Sequence, residues 1–497
     1  MTPNQPAART RHGAQAGAAR APDRRRTKIV ATIGPTSDAP ETLAAMAAAG
    51  MDVARVPLAH GTIDEARQRI RRIREAAPSV GILADLPGPK IRSTPFPDEG
   101  VVLVPGSEVR LVHADRQPNS TDTRIGVAHD EMVDQLAEGD RIALGDGGVS
   151  LVVEERSGDE VVAVVAGGGS LKGRPGVTAP SHRVRLVTPT PEDLERMAAV
   201  VEEGVDFVAI SFVRSAADLV AVRSSSPPTD AMLVAKIETA EAVGDLDGIV
   251  AEADAVMVAR GDLGVRVPLE DVPHIQKDII KSGVSYGRPV ITATQMLESM
   301  ITSPVPTRAE VTDVANALLD GTSAVMLSAE TAIGAHPVAV IETMARILVR
   351  AEQSFDYAGW GASLGALQGL GAPSSPPRLT AAITAAAWRA ALDQDAVAII
   401  ACTRTGATAR AISRFRPRVP IVAATPLRYT ARRLTLSWGV DALVVRESSS
   451  TDDIVWFAVE EAVRAGYAHR GDVVVVLAGS PDEAEPLTDT LRLVRVN

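Results

Sequence analysis

The sequence predicts an α/β protein with three parts. These are a TIM-type (β/α)8 barrel, an inserted all-β lid domain, and a C-terminal open-sheet α/β domain. Three observations carry that reading. Eight apolar runs of strand length alternate with helical spans between Lys28 and Leu327, the pattern of parallel strands buried on both faces. The alternation breaks once, over residues 93–187, where apolar and polar residues alternate at period two. It resumes over 378–497 after a Pro- and Gly-rich stretch. A chain of 497 residues is also too long for one ordinary core.

Residues 1–26, rich in Ala, Arg, Pro and Gly without a helical or strand period, read as a disordered tail. The first part of the barrel spans 27–92. Lys28–Ile33 is a strand stopped by Gly34-Pro35, and Ala39–Ala49 a helix closed by Gly50. Met51–Val56 and Val80–Asp85 follow as strands around a helix over Ile63–Ala77. In the insertion, turns fall at Pro105-Gly106, Glu138-Gly139-Asp140 and Asp146-Gly147-Gly148. The second part of the barrel, 188–353, opens on a helix capped at Thr190-Pro191-Glu192-Asp193. Its strands are Phe207–Ile210, Met232–Lys236, Ala255–Ala259, Pro289–Ala293 and Ser323–Leu327. Residues 354–377 read as a connector, and strands at Ala396–Ala401, Ile421–Ala424, Ala442–Val445 and Val473–Ala478 build the last domain.

Composition narrows the function. The formal net charge of −11 disfavours nucleic acid and anionic membranes as main partners. No apolar run reaches the ~18 residues of a membrane span. Cys402 is the single cysteine, which excludes an intrachain disulfide and fits a reducing cytoplasm. At the end of an apolar run it reads as a small buried hydrophobe. Aromatic residues make up only 3%, so Ala, Val, Leu and Ile must fill the cores.

The chemistry gathers at two neighbouring strand ends. Leu233-Val234-Ala235-Lys236-Ile237-Glu238 and Val258-Ala259-Arg260-Gly261-Asp262 each run from apolar to charged residues. A charge at the end of a buried parallel strand points into the mouth of a barrel, where such folds keep their sites. Glu238 and Asp262 are hard oxygen ligands suited to Mg²⁺ or Mn²⁺. Lys236, two residues from Glu238, faces the same side and suits an anionic, phosphorylated substrate. The alternative at each strand is a structural Lys–Glu pair.

Ala231 to Val243, with Lys-Ile-Glu at its centre, resembles the signature segment of the pyruvate kinases, and Met257–Val265 resembles that family's next block. With the three-part layout, the resemblance covers about residues 27–497. It implies transfer of the phosphoryl group of phosphoenolpyruvate to ADP, followed by protonation of the enolate to pyruvate. It implies Lys236 as the stabilising cation, Glu238 and Asp262 as metal ligands, and the Gly261 N–H as a partner of the substrate carboxylate. Thr294, in Ile291–Leu297, would bind substrate and join a proton relay, or serve as a helix cap. Arg55 and Arg92 match phosphate-contacting arginines, with His60 and Arg174 expected near the nucleotide. Ser211 and Ser328 match further strand-end blocks. The family is usually a homotetramer.

The sequence departs from the family at three places. The common Arg-Leu-Asn-Phe-Ser-His-Gly is here Arg55-Val56-Pro57-Leu58-Ala59-His60-Gly61, and Asp-Thr-Lys-Gly-Pro-Glu-Ile-Arg is Asp85-Leu86-Pro87-Gly88-Pro89-Lys90-Ile91-Arg92. Pro57, Ala59 and Leu86 have no side-chain oxygen for the K⁺ that most members require. Lys90 can place a tethered ammonium near that spot with Asp85 as its counter-ion. A potassium-independent enzyme is expected, the alternative being a paralogue that binds metabolites with little or no kinase activity. In the lid, Arg174-Pro175 stands where a basic pair is usual, with Lys172 nearby. Near the C-terminus, Thr403-Arg404-Thr405-Gly406-Ala407-Thr408 resembles an effector phosphate loop, and a plain Ser/Thr helix cap reads equally well. Acids in Ser480–Glu485, the expected facing loop, would repel a bisphosphate, leaving another sugar phosphate or a nucleotide as the effector.

Overall fold

The computed structural model describes residues 24–497 except 146–147, 180–185, 226–228, 369–376 and 480–486. Eight parallel strands close into a barrel: Lys28–Thr32, Val53–Pro57, Gly81–Asp85, Phe207–Ile210, Met232–Ile237, Ala255–Ala259, Val290–Ala293 and Ala324–Leu327. They are numbered one to eight in that order. Each is an almost continuous apolar run because helices cover the outside while side chains fill the inside. Val30, Val53, Leu83, Phe207, Val234, Met257, Ile291 and Met326 form the interior cluster. Strand three pairs directly with strand four through Leu83–Phe207 and Asp85–Ala209, so the insertion leaves the barrel unbroken.

The inserted domain holds a six-stranded sheet and a two-stranded one around its own core of Val109, Leu111, Ile125, Leu151 and Val161. It also contains one short helix, Asp130–Gln135, where all-β structure was expected. There the ring nitrogen of His129 accepts from the Met132 N–H and so caps the turn. Its two connections to the barrel lie side by side, bridged between Arg92 and Gly176.

The C-terminal sheet has the order Val440–Val444, Ile421–Thr425, Ala398–Cys402, Val473–Ala478 and Thr490–Arg495. The last strand pairs antiparallel, and the sequence reading missed it. Its charged, half-exposed residues carry little of the apolar signal that marks the other four. Within the stretch expected as a connector, Tyr357–Gln368 is a helix. Packing of Phe355, Tyr357 and Leu364 into the main core overrides its Gly content. Residues 1–23 of the expected tail lie outside the described residues, whereas Arg24–Arg26 are held in place. The Arg26 N–H donates to Glu352 at 3.0 Å, and Arg25 pairs with Asp52 at 2.8 Å.

The C-terminal domain closes the lower end of the barrel. Leu436, fully buried, joins the barrel's interior cluster. Gly81 permits this approach, because a Cβ there would collide with Thr435 Oγ1 and lie 2.9 Å from the Phe207 ring. Arg432 pairs with buried Asp206 at 2.9 Å, and Lys28 Nζ donates to the Val440 carbonyl at 2.8 Å. Among the described residues no helix is long and apolar enough to cross a membrane.

Candidate active site

The upper, carboxyl ends of the strands surround a cavity of about 930 Å³. Arg55 at the end of strand two, Asp85 at the end of strand three, Ser211 after strand four, Lys236 near the end of strand five and Asp262 after strand six all line it. Lys90, Arg92, His60 and Ser328 line it as well. Arg55, Asp85, Ser211, Lys236 and Asp262 therefore converge, whereas Glu238, Gly261 and Thr294 are not among the residues that line the cavity.

At the centre, Lys236 Nζ donates to Ser211 Oγ at 2.5 Å and to Asp85 Oδ1 at 3.4 Å, and lies 3.6 Å from Glu238 Oε2. Burial alone would discharge this lysine. Asp85 and Glu238 outweigh burial and raise its pKa above the usual lysine value, so it stays a cation. Asp85 in turn is pushed up by burial, yet Arg55 and Lys236 hold it below the ordinary carboxylate range. Arg55 Nε donates to Asp85 Oδ2 at 2.7 Å and its Nη1 to Thr32 Oγ1 at 3.1 Å, which fixes the guanidinium at the cavity wall.

Glu238 is fully buried. Its Oε1 accepts the Phe212 N–H at 2.7 Å, while its Oε2 has no hydrogen-bond partner. Burial raises its pKa to about 7, with Lys236 opposing and Asp262 adding to the rise. A buried carboxylate oxygen without a hydrogen bond, beside a second carboxylate, fits a hard divalent cation. Asp262 shows the opposite balance: burial pushes its carboxyl up, and Lys90 and Lys236 bring it below the ordinary value. Phe212, not singled out from sequence, supplies the N–H that orients Glu238 from a backbone at φ 57°. A left-handed φ at a non-glycine residue is the only signal, and it is invisible in sequence.

Thr294 and Gln295, after strand seven, also adopt positive φ of 69° and 54°. Arg260 holds this bend. Its Nη2 donates to the Thr294 carbonyl at 2.6 Å, its Nε to the Ala293 carbonyl at 3.2 Å, and its guanidinium pairs with Asp313 at 2.8 Å. Thr294 Oγ1 donates to the Ala293 carbonyl at 2.6 Å and accepts the Gly261 N–H at 3.0 Å. The Gly261 N–H, expected to face the substrate carboxylate, is thus engaged by Thr294.

One further expectation, the partner of Lys90, needs correction. Lys90 takes Asp262 as its carboxylate partner, at 3.2 Å, rather than Asp85. Arg55 and Lys236 already saturate Asp85, so a third cation gains more at the next carboxylate. Arg174 is not among the cavity-lining residues. It sits at the hinge of the inserted domain, where its Nε donates to the Ser93 carbonyl at 3.4 Å and its own carbonyl accepts from Arg92 Nη1 at 3.2 Å. Partial burial and then Arg92, Arg55 and Lys90 depress the His60 pKa, a sign of the positive field at this rim.

In the C-terminal domain, Thr403, Thr405 and Thr408 line a cleft of about 100 Å³ with Arg404 and Arg446. The Gly406 N–H donates to Thr403 Oγ1 at 2.9 Å, and Thr408 Oγ1 lies 2.6 Å from Thr488 Oγ1. The expected facing segment Ser480–Glu485 lies outside the described residues. Cys402 is buried at this cleft, and burial pushes its thiol up to about 12.

A closed barrel whose mouth gathers fixed cations around buried carboxylates defines an enzyme built for an anionic substrate. Comparison with known proteins makes the class specific. The pyruvate kinase barrel domain matches residues 24–341 and the pyruvate kinase alpha/beta domain residues 381–494. The pyruvate kinase of Geobacillus stearothermophilus is 41% identical over 92% of this chain and 78% of its own length. Those of Methylorubrum extorquens and Clostridium acetobutylicum are 41% and 36% identical, over 95% and 94% of this chain and 98% and 99% of theirs. The chain belongs to the pyruvate kinase family, and it is a phosphotransferase.

Proposed function

We propose that the chain transfers the phosphoryl group of phosphoenolpyruvate to ADP in the cytoplasm, with Mg²⁺ or Mn²⁺ and without a need for K⁺. The observation that carries this is the Lys236 ammonium, held between Ser211, Asp85 and Glu238, whose Oε2 has no hydrogen bond of its own. The P–O bond to the enol oxygen breaks as a terminal oxygen of ADP takes the phosphoryl group, and the enolate carbon then takes a proton. Lys236 and Arg55 face the negative charge of the moving group, fixed in advance by Asp85 and Thr32. Glu238 and Asp262 would hold the divalent cation, which when bound offsets charge on the phosphoryl group and the substrate carboxylate. Thr294, whose hydroxyl both donates and accepts, is the residue for the proton relay. Arg92 and His60 at the rim are the nucleotide's partners.

Pro57, Ala59 and Lys90 line the same cavity and support the potassium-independent reading, since Pro57 and Ala59 have no side-chain oxygen for K⁺ and the Lys90 ammonium carries the same charge. The test is pyruvate formation from phosphoenolpyruvate and ADP with magnesium gluconate in potassium- and sodium-free buffer, followed by potassium gluconate. Full activity before potassium is the expected result. Activity that appears only with potassium would discard the role given to Lys90, and no activity in either buffer would favour the metabolite-binding paralogue. The family's usual homotetramer is the assembly proposed for this chain. The Thr403–Thr408 loop, which includes Gly406, is proposed as the site of a sugar-phosphate or nucleotide effector, on the strength of its hydroxyls and the neighbouring Arg404 and Arg446.

A further inference from the structure

The loop after strand four presents one peptide group to the centre of the site, and residues from other segments hold it. The N–H of the Ser211–Phe212 peptide donates to Glu238 Oε1 at 2.7 Å. The carbonyl of that same peptide accepts the hydroxyl of Thr188 at 2.9 Å. A peptide group is planar, so the two bonds fix one rigid plate from opposite sides. Turning the N–H away from Glu238 would also break the bond to Thr188. Thr188, Phe212 and Glu238 are all buried, so no water replaces a bond lost between them.

The Phe212 ring is held as well. Arg266 ends the short helix Arg260–Arg266 after strand six, and its guanidinium carbon lies 5.1 Å from the ring centroid. A cation over an aromatic face is attracted by the ring's quadrupole. Gly88 approaches the same ring, since a Cβ there would lie 2.8 Å from Phe212 Cδ2. A Phe at φ 57° crowds its Cβ against a backbone carbonyl, so the conformation persists only under such restraints. Lys90, Phe212, Asp262 and Arg266 line one small space with Val177 of the inserted domain. By charge alone, Arg266 near Asp262 would oppose a divalent cation. The ring contact gives it a different part to play.

We infer, resting on the reading of Glu238 as a metal ligand, that Thr188 and Arg266 are positioning residues for that carboxylate. Thr188 fixes the peptide plane and Arg266 the Phe212 ring. Together they keep the Phe212 N–H on Oε1 and leave Oε2 to the metal ion.

Mn²⁺ would be titrated into the full chain without substrate, and the free ion read from its electron paramagnetic resonance signal. Thr188→Val keeps the branched shape and removes the donor. It should weaken Mn²⁺ binding roughly tenfold, about 1.4 kcal/mol, and Thr188→Ser should restore it. Arg266→Met should weaken binding about threefold, and it carries the test if Thr188→Val fails to fold. Glu238→Gln should weaken binding about a hundredfold. Thr188→Val added to Glu238→Gln should cost nothing more, because both act through one carboxylate. Undiminished binding by Thr188→Val and Arg266→Met, with Glu238→Gln still weakened, would overturn the inference and leave the metal reading standing. Undiminished binding by Glu238→Gln would overturn both. A loss that Thr188→Ser shares, or additive losses in the double variant, would overturn the role of the Thr188 hydroxyl. Tighter binding by Arg266→Met would overturn the role of Arg266 and leave it a repelling charge.

Discussion

The two ends of the barrel hold buried charge in different ways. At the upper end Glu238 Oε2 is buried without a hydrogen-bond partner, with Lys236 Nζ 3.6 Å away. At the lower end the buried Arg416 guanidinium lies against Phe355, Trp360 and Trp438 and donates to the Gly321 and Thr322 carbonyls. Buried Asp206, also at the lower end, finds its partners within the chain, in Arg74 and Arg432. The upper end opens into about 930 Å³, enough to admit a substrate, whereas the cleft lined by Arg288, Arg416 and Trp438 at the lower end holds about 20 Å³.

Substitutions can break that contrast. Lys236→Met should lower kcat by on the order of a thousandfold, because it removes a cation preorganised for the moving charge, whereas Arg288→Gln should change kcat less than about twofold. Comparable losses in steady-state assays would mean that the lower cleft belongs to the catalytic machinery. Glu238→Gln keeps an oxygen for the Phe212 N–H but loses the charge, and should weaken the Mg²⁺ requirement measured by titration by about a hundredfold. An unchanged magnesium curve would place the metal elsewhere. Lys90→Glu should reduce potassium-free activity about tenfold, an energy of ~1.4 kcal/mol, and added potassium should restore most of it. Failure of potassium to rescue would show that Lys90 does more than supply a charge. At the lower end, Leu436→Ala should cost about 3 kcal/mol and lower the melting temperature while leaving kcat unchanged. A fall in activity without a fall in stability would contradict its role as a floor for the barrel.

The upper end was largely legible in the sequence and the lower end was not. Lys236, Glu238 and Asp262 sit at the ends of apolar runs, so strand periodicity alone points them into one mouth. The pairing of Lys90 with Asp262 was missed because it depends on Asp85 being claimed by Arg55 and Lys236, a competition that only distances reveal. The bend at Phe212 and Thr294 was illegible for a similar reason. A positive φ at Phe or Thr runs against local preference and is imposed by Glu238 and Arg260 from other strands. At the lower end, Arg414 and Arg416 carry charges that argue for solvated positions, yet they are buried where the C-terminal domain meets the barrel. The helix at Tyr357–Gln368 was misread likewise, since its glycines argue for a linker until Trp360 packs against Phe355.

The buried Leu436 carries a consequence for modularity. The barrel does not seal its own floor: the last hydrophobic layer of its interior is borrowed from a segment more than a hundred residues beyond its eighth strand. A truncation that ended the chain at the connector would leave an open tube with Phe207 and Leu83 facing water. The C-terminal domain of such a molecule is therefore also a structural stopper, and recombination could not exchange it without a replacement of matching shape.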